Sequence, residues 1–334
     1  MHPIQSNLHS KKILITGGAG FIGSNLAFYF QKNHPEAQLT IFDCFRTGEF
    51  FPSGNPTSFG DERNLEGFTG QIIHGDITSE ADLGKIAAGG FDIVFHEAAI
   101  SDTTVEDEAL MFKTNTEAFL NILKIARTNQ AKVIYASSAG TYGNSTPPNQ
   151  VGHQELPTNI YGASKLAMDE LAQNFVKENP EMHVVGLRYF NVFGPKEYLK
   201  GKTASMILQL GLQVLKHRKV RLFKYGEQKR DFIYIEDVVQ ANVKGIDALK
   251  SGIYNVGTGV SMSFNDIVEC LKNELGEFEV EYFDNPYSFY QNHTEADISN
   301  TRHKLQFEPA HTLALGIQKY IPEIKAIHEN KMYC

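Results

Sequence analysis

The sequence predicts an α/β fold, a doubly wound parallel sheet with helices on both faces and a smaller mixed α/β lobe beside it. Three observations point there. Short apolar runs alternate with helical patterns through the first half of the chain. The first run passes into a turn with glycines three apart and then directly into an apolar helix. The second run closes on an acidic residue.

Residues 11–15 read as a buried strand, and Thr16-Gly17-Gly18-Ala19-Gly20-Phe21-Ile22-Gly23 follows it. Gly17 permits the tight strand-to-helix turn. Gly20 lets the backbone approach a pyrophosphate, and Gly23 lets the helix lie close on the sheet. The helix over 24–30 would offer free N–H groups and a positive dipole end to the phosphates. Residues 39–43 form the second strand. Its last residue, Asp43, lies twenty positions beyond Gly23, where a ribose-binding carboxylate belongs. A Rossmann-type dinucleotide site is therefore expected, with Gly17, Gly20, Phe21, Ile22, Gly23 and Asp43 around the cofactor.

Residues 44–70 are rich in Gly, Pro, Ser and Asn and read as a long loop. Strands are predicted at 71–76, 91–96, 132–136 and 184–189. Helices are predicted at 80–88, 106–128 and 161–178. Residues 1–195, with a return near 231–257, are expected to form the dinucleotide-binding domain. Segments 196–230 and 258–334 mix short strands, helices and loops, and are expected to form a substrate-binding lobe.

The net charge of −8 argues against a nucleic-acid partner. The basic cluster Lys216-His217-Arg218-Lys219 is short and reads as a solvated helix end. Cys44, Cys270 and Cys334 have no metal-ligand spacing, and so sparse a count suits a reducing compartment. No metal site is expected, and His96 reads as a packed or capping histidine. No apolar run has the length of a membrane span, and no signal-peptide core is visible, so a cytoplasmic protein is expected.

Tyr161 and Lys165 lie four apart on one helix face. A phenol is a poor base at neutral pH. A nearby ammonium and a positive nicotinamide ring would lower its pKa and make it a usable proton acceptor. Residues 136–143 follow the fifth strand and carry two serines. Ser138 is the candidate to hydrogen-bond the same substrate oxygen, with Ser137 as the alternative. The blander readings are a surface tyrosine on a lysine stem and a turn serine.

These residues together resemble the extended short-chain dehydrogenase/reductase superfamily. The likeness rests on Thr16–Gly23, Asp76-Ile77, His96-Glu97-Ala98-Ala99, Asn115, Ser137-Ser138, Tyr161 with Lys165, and 188–195 (Arg-Tyr-Phe-Asn-Val-Phe-Gly-Pro). The runs 230–238 and 254–257 extend it into the second half. Within the superfamily the chain resembles ADP-glycero-manno-heptose 6-epimerases. Ser101-Asp102-Thr103-Thr104, the stretch 195–205 and the stretch 290–297 carry that likeness.

The resemblance implies a tightly bound NADP or NAD, an ADP-heptose substrate, a role in lipopolysaccharide core precursor synthesis and a homo-oligomer. It adds Cys44, Arg46, Asp76, Ile77, Ala98, Ala99, Ser101 and Asn115 to the cofactor contacts, beside Tyr161 and Lys165. It implies a second acid/base lysine nine residues after Asn191, which is Lys200. Asn191, Lys202 and Tyr290 would meet the sugar or diphosphate, and Phe223, Lys224, Tyr225 and Arg230 the ADP part. Two departures bear on the cofactor: Cys44 stands where the family often has Asn, and only Arg46 could supply charge for a 2′-phosphate, while Asp43 suits a free hydroxyl.

Three rival readings differ in what they need. A UDP-hexose 4-epimerase needs no Lys200. A 4,6-dehydratase needs a carboxylate pair after Ser138, where this chain has Ala139-Gly140. A non-catalytic dinucleotide sensor commonly lacks the tyrosine or the lysine, and both are present here.

Overall fold

The computed structural model describes residues 8–284 and 293–330. Its largest sheet holds seven parallel strands. They are β1 (Lys12–Thr16), β2 (Gln38–Asp43), β3 (Gln71–His74), β4 (Ile93–His96), β5 (Lys132–Ser138), β6 (Val184–Tyr189) and, after three short strands, β10 (Gly252–Val256). The order across the sheet is β10-β6-β5-β4-β1-β2-β3. The winding reverses between β1 and β4, and ligands of such sheets bind at that crevice.

Alternation along β1 explains the two covered faces. Ile13 and Ile15 join the core under α1 (Phe21–Asn33) and α7 (Ile235–Gly245). Leu14 points the other way, into the core under α2 (Glu80–Ala87), α4 (Ala118–Asn129) and α5 (Ile160–Glu178). Successive strand side chains face opposite sides, so a strand covered on both faces is apolar throughout.

The expected helix over 106–128 is interrupted. A short α3 (Glu108–Phe112) gives way to a π turn, Lys113–Glu117, before α4 resumes. Asn115 sits in that turn. Its Oδ1 accepts from Ile100 N at 2.8 Å, and its Nδ2 donates to Ile100 O and Ser164 Oγ, both at 3.0 Å. Hydrophobic periodicity is blind to such a one-residue slip.

The second half builds smaller units. β7 (Asn191–Phe193), β9 (Lys229–Tyr234) and β11 (Ser261–Ser263) form one sheet, and β8 (Lys219–Phe223) pairs with β12 (Glu279–Phe283). Helices α6 (Met206–His217), α8 (Phe264–Leu275) and α10 (Leu313–Glu329) pack together beside them, while α9 (Ser299–Leu305) lies on β10. Leu210, Leu271 and Ile324 make this core continuous with that under α1.

The loop 44–70 folds back over the glycine turn. Ala19 O accepts from Asp61 N at 3.1 Å and from Asn64 Nδ2 at 3.0 Å. Asn55 Nδ2 donates to Asp102 at 2.9 Å, and Phe51 packs with Ile100, Met111 and Tyr161.

Candidate active site

The C-terminal ends of β1, β2, β4, β5 and β6 open into one cavity of ≈ 770 Å³. Gly17 turns at φ +69°, and a Cβ there would lie 2.6 Å from Ala98 N. A Cβ on Gly23 would lie 2.3 Å from Gly17 O. Both glycines are required by close backbone approach. Gly20 starts α1 with no side-chain cap, and no acidic residue occupies the first turn. Nothing in that turn offsets the positive end of the helix dipole.

Asp43 lines the cavity with its carboxylate buried. Oδ2 accepts from Ala19 N at 2.9 Å and Oδ1 from Phe45 N at 2.8 Å. Each oxygen keeps a lone pair for a hydroxyl. The glycine cradle, the uncapped helix start and this carboxylate together fit a dinucleotide.

The cavity brings most expected residues together. Gly17, Gly20, Phe21, Ile22, Gly23, Asp43, Cys44, Asp76, Ile77, Ala98, Ala99 and Ser101 line it with Ser138, Tyr161, Lys165, Asn191 and Lys200. Asn115 stands behind the wall and acts on it through the Ile100 backbone. Arg46 is also off the wall. Its guanidinium donates to Leu199 O, and its Nε is buried without a hydrogen-bond partner. Lys202 is exposed. Phe223 packs on Phe283, Lys224 pairs with Asp284 at 2.8 Å, and Tyr225 is exposed near Tyr282. Arg230 is buried on β9. None of these four lines the cavity, and Tyr290 lies outside the described residues.

Tyr161 is held at the start of α5. The Asn159 side chain caps the helix, accepting from Gly162 N at 2.7 Å. Gly162 lets the first turn rest on the β5 loop, because a Cβ there would lie 2.4 Å from Gly140 O. A Cβ on Gly140 would meet Ser138 Oγ at 3.3 Å and Tyr161 Cε1 at 3.5 Å, so the serine and the phenol flank one glycine. Ser137 turns away and donates to Asp169 at 3.0 Å. The geometry therefore favours Ser138 over Ser137.

The electrostatics differ from the sequence expectation. Burial pushes the Tyr161 phenol up. Its hydrogen bond with Ser138 opposes that, and the Glu97 charge adds to it. The Lys165 ammonium lies 6.0 Å from the Tyr161 ring centroid and donates to Ala136 O at 2.8 Å. Burial pushes Lys165 down to about 8, against the pull of Glu97 and Asp169.

Sequence reasoning quoted Glu97 only as part of a motif. It lines the cavity, and its Oε1 accepts from Tyr189 OH at 2.9 Å. Asn242 Nδ2 donates to the same Tyr189 oxygen at 2.8 Å. Burial raises Glu97 to about 7, while Tyr189 and Lys165 oppose the shift. The neighbouring His96 is structural. Its Nδ1 meets Thr16 Oγ1 at 2.8 Å, its ring stacks on Phe119, and burial pushes it down to about 3.

Behind the start of α5, Asp169 collects three donors. Tyr135 OH lies at 2.8 Å, Ser137 Oγ at 3.0 Å and Arg188 Nε at 2.8 Å. Arg188 also pairs with Glu155 and stands 4.9 Å from the Tyr142 ring centroid. This network ties α5 to β5 and β6. No spacing rule links positions 135, 137, 169 and 188, so only the fold brings them together.

Lys200 reaches the cavity from the 3₁₀ segment Tyr198–Thr203, with its ammonium 5.7 Å from the Phe21 ring centroid. Burial pushes it down and Glu197 pulls it up. The cavity thus holds two proton-transfer candidates on different elements, Tyr161 on α5 and Lys200 on the 3₁₀ segment.

The family model described as NAD dependent epimerase/dehydratase matches residues 13–257. The chain belongs to that family. In this epimerase/dehydratase the match runs from β1 through β10 and takes in Tyr161, Lys165 and Lys200. Among solved structures it is similar to the Helicobacter pylori ADP-L-glycero-D-manno-heptose-6-epimerase, at 51% identity and TM-score 0.90, covering 98% of this chain and 100% of that one. It is also similar to a UDP-N-acetylglucosamine 4-epimerase from Methanobrevibacter ruminantium, at 28% identity and TM-score 0.84, over 95% and 99% of the two chains. A UDP-glucose 4-epimerase from Thermotoga maritima matches at 26% and TM-score 0.83, over 96% and 99%.

Proposed function

We propose that this epimerase/dehydratase inverts C6 of the heptose in an ADP-glycero-manno-heptose, for lipopolysaccharide core precursor synthesis. The observation that carries the reading is the 51% identity to the Helicobacter pylori enzyme over 98% of the chain. When bound, the dinucleotide supplies a reversible hydride acceptor at the sugar carbon. Tyr161 takes the proton of the C6 hydroxyl, and Ser138 hydrogen-bonds the same oxygen. Lys165 places a positive charge on the same helix face. The oxidised sugar then turns its other face to the cofactor. Its carbonyl oxygen meets Lys200, which gives the second proton. Asn191, on the cavity wall, orients the sugar. Each base serves one epimer, and no net oxidation results.

For the dinucleotide we propose NADP. Arg46 brings a cation close to the end of β2, and its Nε is unpaired among the described residues. Asp43 would instead suit NAD, so the mass of the nucleotide released on denaturation decides. Residues 1–195 with 231–257 would hold the cofactor, and 196–230 with 258–334 the substrate. The place of β10 in the seven-stranded sheet supports that division. The setting we propose is a cytoplasmic homo-oligomer. No helix among the described residues is long and apolar enough to cross a membrane, and the exposed Phe50 and Leu156 offer apolar surface for self-association.

The test is to incubate the protein with ADP-D-glycero-D-manno-heptose deuterated at C6 and follow both epimers by NMR. The expected product is the L-glycero epimer with the deuterium retained. Conversion of UDP-glucose to UDP-galactose, with ADP-heptose unchanged, would replace this reading with a 4-epimerase.

A further inference from the structure

The second base stands on a loop, and one carboxylate organises that loop. Glu197 is completely buried. Its Oε1 accepts from Gly194 N at 3.3 Å and from Ser205 Oγ at 2.7 Å, and its Oε2 accepts from Ser205 N at 2.7 Å. Its backbone carbonyl accepts from Lys200 N at 2.9 Å. One residue therefore joins both ends of the segment that carries Lys200 and sets the backbone of Lys200 itself. Ser205 in turn caps α6, which ties the clamp to a regular element.

We infer that Glu197 is the positioning residue of Lys200: it fixes the loop that presents the ammonium and places a negative charge beside it. The inference rests on Lys200 being the second acid/base group. Three observations support it beyond the clamp. A buried carboxylate is costly unless its oxygens are satisfied: burial pushes the Glu197 carboxyl up, and the Ser205 and Gly194 donors and the Lys200 charge pull it back. The charge of Glu197 opposes the burial that drives Lys200 toward the neutral amine, which could not donate a proton as an acid. Two of the other ionisable neighbours, Glu323 and Lys196, serve other partners. Glu323 of α10 accepts from Lys196 N at 2.8 Å, and Lys196 Nζ donates to Asn64 O at 2.7 Å. Tyr320 of α10 also faces Glu197, and burial with that carboxylate's charge holds its hydroxyl protonated.

The test compares Glu197→Gln with Glu197→Asp. Gln keeps an acceptor for Ser205 N but removes the charge. The alkaline limb of kcat should move down by about 1 pH unit or more. The Lys200 titration midpoint should fall equally. It is read from the Nζ resonance of ¹⁵N-lysine-labelled protein and assigned by its loss in Lys200→Met. Asp keeps the charge and shortens the clamp, so the midpoint should hold while kcat drops about tenfold with KM unchanged. An unchanged midpoint and pH profile in a folded Gln variant would overturn the inference. If the Gln variant does not fold, wild-type kcat in the Asp variant would overturn it. Near-normal epimerisation by Lys200→Met would instead overturn the two-base reading on which the inference stands.

Discussion

The two sides of the cavity are built by different means. Tyr161 and Lys165 stand on a 19-residue helix, capped by Asn159 and tied to the sheet through Asp169. Lys200 stands on a 3₁₀ segment between β7 and α6, tied to the smaller lobe through Glu197. Each proposed acid/base group is thus set by a separate element with a separate anchor. Either side can therefore lose its role while the other keeps its geometry, and single substitutions can tell the two apart.

The largest effect is expected from the bases themselves. Tyr161→Phe and Lys200→Met should each lower turnover by about 10²–10⁴-fold. The losses should be asymmetric. With a simpler aldehyde-bearing analogue, Lys200→Met should still exchange hydride on one face and Tyr161→Phe should not. Equal loss in both variants would break the comparison.

The anchors come next. Asp169→Ala leaves Arg188 buried beside an absent partner, with both side chains 1% exposed in the parent. Removing one partner of a buried pair costs about 3–5 kcal/mol. Urea unfolding should show that loss. A loss below about 1 kcal/mol would mean that the helix side does not depend on this network.

Glu97 gives a pH-dependent effect of intermediate size. Its folded pKa of about 7 exceeds the ordinary 4.5. A raised carboxyl pKa favours the fold while the group is protonated. That stability is complete below about 4.5 and is lost as pH rises through about 7. Glu97→Gln should therefore be more stable than the parent at pH 8, by about 1–3 kcal/mol, with the Lys165 ammonium opposing the gain. The difference should vanish at pH 4. A variant no more stable at pH 8 would show that the Tyr189 hydrogen bond fully compensates the buried charge.

The smallest effect sharpens the contrast between near neighbours. Lys202 is two residues from Lys200 but is exposed and off the cavity wall. Lys202→Ala should change stability by less than about 0.5 kcal/mol and leave KM near its parent value. A large rise in KM would return Lys202 to the substrate site.

The first half of the chain was legible because its signals are local. The glycine turn, the acidic end of β2 and the Tyr161–Lys165 spacing each depend on a few adjacent residues, and all line one cavity. Long-range arrangements were not legible. Asp169, Tyr135, Ser137 and Arg188 meet only after two strands and a helix assemble. Glu97 is one residue from a histidine that draws more attention, and only burial distinguishes the two. In the protein alone burial holds the Tyr161 phenol up, and the Lys165 ammonium is oriented by Ala136 O, a contact that no sequence spacing shows. Phe223, Lys224, Tyr225 and Arg230 were placed by likeness alone; they sit on β8, β9 and the turn between them, and none of them lines the cavity.

The π turn at Lys113–Glu117 has a consequence for how this chain tolerates length changes. An α-helix advances about 100° per residue. Deleting one residue before Asn115 would convert the turn to regular helix and swing its amide away from Ile100 and Ser164. A surface helix commonly absorbs such a deletion by shifting its solvent face. Here α4 could keep its apolar stripe, yet the cavity wall at Ile100 would lose both hydrogen bonds to Asn115. The bulge makes the residue count between α3 and α4 a functional quantity, independent of which residues are counted.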